Sequence, residues 1–474
     1  MNCTDERTDT VMIHDTQEGT KVEQLMARVR QRIEHRTLVP GARLTSVRAM
    51  AESAGVSKST VVEAYDRLAA EGVIRARPGS GFYVAAPLAP LAIAGVDSRV
   101  RQEIDPLWML RQSLHFRPDA LLPGCGWLPE AWMPEDLLRK GLRGIARAAD
   151  PTCITGYASP MGSEPLRRLI ARRMAEQGLE AAPDQILLTD SGTQAIDLIC
   201  RFLIEPGDAV LIDDPCYFNF QALLRAHRAR PIGVPFTPNG PDVAAFEQAL
   251  RIHAPRLYIT NSACHNPTGA SLSAATAHRV LKLAEMHDLL IVEDDIFADF
   301  EADPSPRYAA FDGLDRVIRV GSFSKSLSSA VRCGHIAARP DWIAGLTDLR
   351  IATSMSGSPI STELVHAALT DGSYRRHVER LRGRLAQAMT RAIARLRPLG
   401  ITPWIEPRAG TFLWARLPDG RDAVAVTRRA LDRNMVLAPG NVFSVGQTAG
   451  DYMRLNVAMM ADDRVYDALA YALG

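Results

Sequence analysis

The sequence predicts an α/β protein in two parts, a small N-terminal winged helix-turn-helix and a large domain with a mainly parallel sheet. Three observations carry that expectation. Within residues 20–86, helical patterns joined by a glycine turn precede a β-prone hairpin. From about residue 155, short apolar runs alternate with amphipathic helices, the pattern of strands covered by helices. Charge also divides between the parts: residues 21–86 hold eleven Lys/Arg against six acidic residues, +5, and the other 44 basic and 48 acidic residues leave −4.

A net charge of +1 over 474 residues excludes a polyelectrolyte binder acting along its whole length, and 47% apolar residues suffice for sizeable cores. The basic head on a mildly acidic body suggests one part that meets a polyanion and one that does not. The seven cysteines (3, 125, 153, 200, 216, 264 and 333) are scattered and form no Cys-x-x-Cys pair, which argues against a disulfide framework or a zinc site. The acidic, polar start MNCTDERTDT is unlike a signal peptide. The apolar stretch 85–96 is too short to span a bilayer and is broken by Pro87 and Pro90. A soluble cytoplasmic protein is therefore expected, with no membrane contact and no metal.

Residues 1–19 read as a disordered tail and 20–86 as the head. In TSVRAMAESAG, Val47, Met50, Ala51 and Ala54 share one helix face, with Ser46 as N-cap and Gly55 as the stop. After a tight turn, Val61, Ala64, Tyr65, Leu68 and Ala69 repeat the spacing, with Ser57 as cap and Lys58, Ser59 and Thr60 in the first turn. VIRARPGSGFYV then reads as a hairpin, the wing. In such an arrangement the second helix lays its N-terminal end in the DNA major groove, where short hydroxyls and a lysine reach bases and phosphates. Residues 87–115, Pro- and Ala-rich and then polar, read as a linker.

The body, 116–474, divides into a large part at about 150–365 and a small part at about 116–149 plus 366–474. Strands are expected at 185–189, 209–213, 256–260, 289–293 and 316–321. The helix after the first carries Ala195, Leu198, Ile199, Phe202 and Leu203 on one stripe. Ligands of such sheets bind beyond the strands' carboxyl ends, so the polar residues there are the candidates. Ser191, Gly192 and Thr193 open a helix and can cradle a phosphate. Tyr217 follows the second strand, Asn266 the third, Asp294 ends the fourth and Lys325 follows the fifth. One ligand suits all five: a phosphate, a flat ring, a basic ring nitrogen for Asp294, a phenolic oxygen for Asn266 and an aldehyde for Lys325. Pyridoxal 5′-phosphate has each of these. Asp294 would keep the ring nitrogen protonated, and Lys325 would form the Schiff base.

Two resemblances extend this reading. LVPGARLTSVRAMAESAGVSKSTVVEAYDRLAAEGVIRARPGSGFYV resembles the GntR family's DNA-binding domain nearly throughout. That resemblance makes Arg48, Ser57, Lys58, Ser59 and Thr60 the DNA contacts, with Arg77 and Gly79 near the minor groove or backbone. Residues 120–474 resemble fold-type I aminotransferases through Tyr157, Pro160 and Gly162 (Y-x-x-P-x-G), SGTQA, NPTG, VEDDI and GSFSKSL with an Arg seven residues beyond the lysine. It implies that Tyr217 stacks on the cofactor ring and that Ser191, Gly192, Thr193, Ser322 and Arg332 hold the phosphate. Tyr157 would reach into the partner subunit's site of a homodimer, and Arg454 of YMRLNVA would clamp a substrate α-carboxylate.

One position departs from many such relatives: Phe297 stands where they carry a tyrosine that hydrogen-bonds the cofactor's phenolic oxygen, which puts efficient transamination in doubt. The fusion of the two parts resembles the MocR subfamily of GntR transcriptional regulators. The resemblance implies a DNA-binding, pyridoxal-phosphate-binding homodimer that senses an amino acid or amine by exchange of the Schiff base. A working aminotransferase with a vestigial DNA-binding head, and a GntR regulator that uses no cofactor, are the alternatives.

Overall fold

The computed structural model describes residues 20–34, 42–71, 73–77, 81–84, 119–148 and 152–474, with isolated positions at 38, 108, 111, 112, 114 and 117. The expected tail 1–19 lies outside the described residues, as does most of the expected linker. The chain divides into two compact units, residues 1–100 and 101–474. Trp108, inside the expected linker, is buried with Phe218, Trp414 and Phe443 of the second unit. The body therefore starts before residue 116, because a large aromatic ring already gains burial there.

In the first unit, α1 (Lys21–Glu34), α2 (Val47–Ala54) and α3 (Lys58–Ala70) precede the antiparallel hairpin β1 (Ile74–Arg77) and β2 (Gly81–Val84). The caps are those the sequence implies. Ser46 Oγ accepts from Ala49 N at 3.3 Å, Gly55 ends α2 with φ 63°, and Ser57 Oγ accepts from Thr60 N at 3.1 Å. Leu25, Val29, Met50, Val61, Tyr65, Leu68, Ile74 and Val84 form one core. Tyr65 also donates to Thr45 O at 2.9 Å, tying α3 to the segment before α2.

The second unit contains an eight-stranded sheet of order β3-β10-β9-β8-β7-β4-β5-β6. Its strands are β3 (Ile186–Thr189), β4 (Ala209–Asp214), β5 (Arg230–Thr237), β6 (Gly240–Pro241), β7 (Leu257–Thr260), β8 (Leu290–Asp294), β9 (Val317–Ser322) and β10 (Gly334–Ala337). Strands β5, β4, β7, β8 and β9 pair in parallel, and β10 lies antiparallel between β9 and β3. Strand β3 thus runs with the parallel set, and six carboxyl ends share one edge. Residues such as Val210, Leu211 and Ile212 are buried on both faces, as expected where helices cover both sides of a parallel sheet.

A second sheet, order β11-β12-β14-β13, is antiparallel: β11 (Thr402–Pro403), β12 (Phe412–Arg416), β13 (Ala438–Pro439) and β14 (Tyr452–Asn456). Residues 121–124 join it, with Val436 N donating to Leu121 O and Asn456 N to Pro123 O. The helix Glu135–Arg147 does not belong there, although 116–149 was expected in the small part. Its Leu137 and Ile145 are buried in the large part's core with Leu166 and Ile170, so its apolar stripe faces the other way.

Candidate cofactor site

Beyond the carboxyl ends of β3, β4, β7, β8 and β9 lies a cavity of about 190 Å³. Ser191, Gly192, Thr193, Tyr217, Asn266, Asp294, Ser322, Lys325, Arg332 and Arg454 all line it. Nine of these ten are supplied by segments that follow or end the five strands. Arg454 comes from β14, so the second sheet closes the cavity.

Ser191 caps the helix Gly192–Leu203 by accepting from Gln194 N at 3.0 Å, which leaves the first-turn N–H groups directed at the cavity edge. Gly192 packs closely, since a Cβ there would stand 3.1 Å from Ile296 Cγ2 and that side chain would have to give way by a few tenths of an ångström. Strand β10 runs as tightly behind the cradle: a Cβ on Gly334 would stand 2.7 Å from the Ser191 carbonyl carbon. Ser322 Oγ bonds to Ser324 Oγ at 3.0 Å, and Arg332, exposed, stands in the left-handed region at φ 51°.

Asp294 is 3% exposed at the end of β8, and its Oδ1 accepts from Ile296 N at 3.3 Å. Burial pushes its carboxyl up to about 7, against the opposing pull of nearby Lys325. Lys325 Nζ donates to Gly126 O at 2.6 Å. Burial, then the Arg454 charge, lower its ammonium to about 8. Arg454 is 1% exposed, donating from Nη1 to Asn266 Oδ1 at 3.0 Å and from Nη2 to Gly124 O at 2.6 Å. Its guanidinium carbon lies 4.5 Å from the Phe412 ring centroid and 4.9 Å from that of Phe443. Burial depresses this arginine to about 10.

Tyr157 is not part of the cavity lining; it is 90% exposed. Phe297 is 2% exposed, lines the cavity and packs edge-on against Phe412 at 5.5 Å. In the first unit Arg48, Ser57, Lys58 and Ser59 are exposed and Thr60 is half-buried. Arg77 lies on β1, and Gly79 lies outside the described residues.

Asn261 is a cavity residue that the sequence reading missed. Its Nδ2 donates to Asp294 O at 3.0 Å, holding the ends of β7 and β8 together. It directly follows β7, so the same strand-end rule could have found it. Gly126, whose carbonyl accepts a hydrogen bond from Lys325 Nζ, carries no such signal because only its backbone acts.

These residues fit pyridoxal phosphate on grounds internal to the structure. Among the described residues, Asn261 Oδ1 and Arg454 Nε are buried without partners, an arrangement that costs free energy unless a ligand satisfies it. A buried carboxyl and a buried amine, each shifted toward its neutral form, face the same cavity. A protonated ring nitrogen and an aldehyde are the groups that such a pair accommodates.

Fold and site thus define a pyridoxal-phosphate-type aminotransferase domain of fold type I, joined to a winged helix-turn-helix. Comparison with known proteins agrees. Residues 129–471 match the aminotransferase class I and II family, and residues 21–84 match the bacterial regulatory proteins of the gntR family. The chain belongs to the MocR subfamily of GntR-type transcriptional regulators, whose architecture is this fusion. The uncharacterized HTH-type transcriptional regulator YdcR of Escherichia coli is 31% identical over 464 residues, 95% of this chain and 97% of that protein. The HTH-type transcriptional regulator NorG of Staphylococcus aureus is 26% identical over 90% of this chain and 98% of its own. Among solved structures, the α-aminoadipate aminotransferase LysN of Thermus thermophilus, complexed with N-(5′-phosphopyridoxyl)-L-leucine, aligns with a TM-score of 0.70 and 26% identity. That alignment covers 77% of this chain and 94% of LysN. Pyridoxal 5′-phosphate is the cofactor that the family and the site imply. No helix among the described residues is long and apolar enough to cross a membrane.

Proposed function

We propose that the protein is a cytoplasmic transcriptional regulator that binds an operator through its winged helix-turn-helix and senses an amino acid or amine at the cofactor site. The cofactor, when bound, supplies an aldehyde that takes up primary amines and a ring that accepts electron density. The chain supplies the rest. Ser191, Gly192, Thr193, Ser322 and Arg332 hold the phosphate, Tyr217 faces the ring, and Asn266 and Asp294 address its phenolic oxygen and nitrogen. Lys325, with an ammonium lowered to about 8, offers a larger neutral fraction near neutral pH than an ordinary lysine and accepts a proton at Nζ. Arg454 takes the α-carboxylate of an amino-acid effector.

Phe297 carries the choice of sensor over enzyme. It fills a cavity wall with an apolar ring where a phenol would stabilise charge on the cofactor, so binding is retained and fast turnover is not supported. A homodimer completes the reading: Tyr157, 90% exposed beside the exposed Ile154, suits a residue that reaches a second copy's site. On the DNA side, Arg48, Ser57, Lys58, Ser59 and Thr60 meet the duplex, with Arg77 and Gly79 at the wing.

Stopped-flow spectra with a panel of amino compounds, combined with operator-binding and keto-acid assays, test this function. An amino compound that shifts the absorbance should change DNA affinity with little keto-acid formed. Turnover at ordinary enzyme rates, roughly 1–10³ per second, with no effect of that compound on DNA binding, would favour the aminotransferase reading.

A further inference from the structure

The helix Gly372–Leu396 is shared between two cores. Tyr374 and Val378 are buried with the large part, whereas Leu381, Leu385, Met389, Ala392 and Leu396 are buried with the second sheet. Where this helix meets the large part, it grips the residue that follows Lys325.

Ser326 is 2% exposed. Its Oγ stands 2.7 Å from Asp299 Oδ2 and 2.9 Å from Tyr374 Oη, and Tyr374 Oη stands 2.7 Å from the same carboxylate oxygen. Both hydroxyls donate to that carboxylate oxygen, which brings the two hydroxyl oxygens together without a further proton between them. Arg173, 2.5 Å from Asp299 Oδ1, helps hold that carboxyl below its usual range against the opposing effect of burial. On the other side of Ser326, His377 Nε2 donates to the Ser326 carbonyl at 2.8 Å. A carbonyl only accepts, which places a proton on Nε2. Arg382 Nε donates to Asp299 O at 2.9 Å and closes the ring of contacts. None of Asp299, Ser326, Tyr374 and His377 lines the cofactor cavity.

A lysine that must leave a bound aldehyde and return to it needs a fixed Cα, because four rotatable side-chain bonds already cost entropy to order. We propose that Asp299, Tyr374 and His377 are positioning residues for Lys325, acting through the hydroxyl and carbonyl of Ser326. The inference rests on Lys325 being the cofactor's lysine. The groups that face Lys325 directly are Asp294 from β8, Arg454 from β14 and Cys125 from the segment before the helix Glu135–Arg147. The clamp acts from outside that set.

The test uses the full chain loaded with pyridoxal phosphate and follows the visible absorbance band. Its pH midpoint and the rate at which hydroxylamine removes it are measured for Tyr374→Phe, Ser326→Ala, His377→Leu and His377→Gln. The first three should move the midpoint by about half a unit, as one lost hydrogen bond supports, and change the hydroxylamine rate severalfold. His377→Gln, which keeps a side-chain N–H donor, should stay near the parent. Ser326→Ala leaves the helix untouched and decides the matter if Tyr374→Phe folds poorly. Unchanged midpoint and rate in Ser326→Ala and Tyr374→Phe, with only a lower melting temperature, would overturn the proposal. Lys325→Ala separates the two levels: loss of its band with parent-like clamp variants defeats the clamp alone. A band that survives in Lys325→Ala defeats the lysine assignment and the clamp with it.

Discussion

Arg454 donates to Asn266 Oδ1 across 3.0 Å, joining β14 of the second sheet to the loop after β7 of the first. The arginine sits among the Phe218, Phe412 and Phe443 rings, and its second terminal nitrogen is held by the Gly124 carbonyl. Among the described residues its hydrogen-bond partners are thus neutral oxygens, and its Nε has none. A desolvated guanidinium in that state gains from a carboxylate, which accepts charge-assisted hydrogen bonds from a rigid fork.

Replacing Arg454 with Gln should therefore weaken the response to α-amino acids by about 10- to 100-fold, the loss of one charged hydrogen-bonded contact. The response to amines that lack a carboxylate should change far less. Absorbance titrations with alanine and with methylamine compare the two, and equal weakening for both would remove Arg454 from carboxylate recognition.

Lys325 predicts a pH dependence for cofactor capture. With the ammonium at about 8, about a tenth of the amine is neutral at pH 7, against roughly three parts in ten thousand for an ordinary lysine. The neutral amine is the nucleophile, so capture of added pyridoxal phosphate by the cofactor-free protein should accelerate as pH rises and level off above about 8. A rate still climbing steeply at pH 10 would show that Lys325 is not depressed.

Asp294 predicts the stability of the cofactor-free protein. Its carboxyl, at about 7 in the folded state, titrates near 3.9 when unfolded. Folded protein thus holds that proton to higher pH, and stability falls as pH rises between about 4 and 7. Asp294→Asn removes this contribution. Urea melts at pH 5 and pH 8 should show a smaller loss on raising the pH in the variant than in the parent. The same loss in both would mean that the carboxyl is not raised.

The strand ends were legible because their runs are buried on both faces: the five expected strands and the observed β3, β4, β7, β8 and β9 differ by one residue at most. Strand β5 was not, since Pro231 and Pro235 interrupt it and several of its side chains are only half-buried. Strand β10 was missed because four residues wedged between β3 and β9 show no periodicity of their own. Phe202 was read onto the buried stripe but is 36% exposed, its ring lying against Gly345 where no Cβ intervenes. Nine of the ten candidate cavity residues could be read because their segments end or follow a strand, whereas Arg454, in the middle of β14, came only from the family resemblance. The Ser326 clamp could not, because Asp299, Ser326 and Tyr374 meet only once the chain has folded.

The residues proposed to meet DNA predict a change in salt dependence. Arg48 and Glu52 pair at 3.3 Å but remain 79% and 70% exposed, and Lys58 is exposed at the start of α3. Such exposed pairs contribute little to stability. Arg48→Ala and Lys58→Ala should leave the melting temperature nearly unchanged while weakening operator binding. Each lost phosphate contact should lower the slope of log affinity against log salt by about one. A full slope and unchanged affinity in both would move the DNA-binding face elsewhere.

Phe297 offers the sharpest test of sensor against enzyme. Its ring is buried against Phe300 and Phe412 yet borders the cavity, so an added para-hydroxyl has polar space to enter only on the cavity side. A phenol there can donate to the cofactor's phenolic oxygen, which stabilises the ionised oxygen and lowers the pH at which the visible band changes. Phe297→Tyr should therefore shift that midpoint downward and raise keto-acid formation from a responsive amino acid. The response of DNA binding to the same amino acid should shrink, because a compound that is consumed holds the protein in its bound state for less time. Spectral titration, keto-acid assay and DNA affinity on the one variant read all three. If the parent already forms keto-acid as fast as the tyrosine variant, Phe297 has no part in suppressing turnover and the sensor reading loses its support.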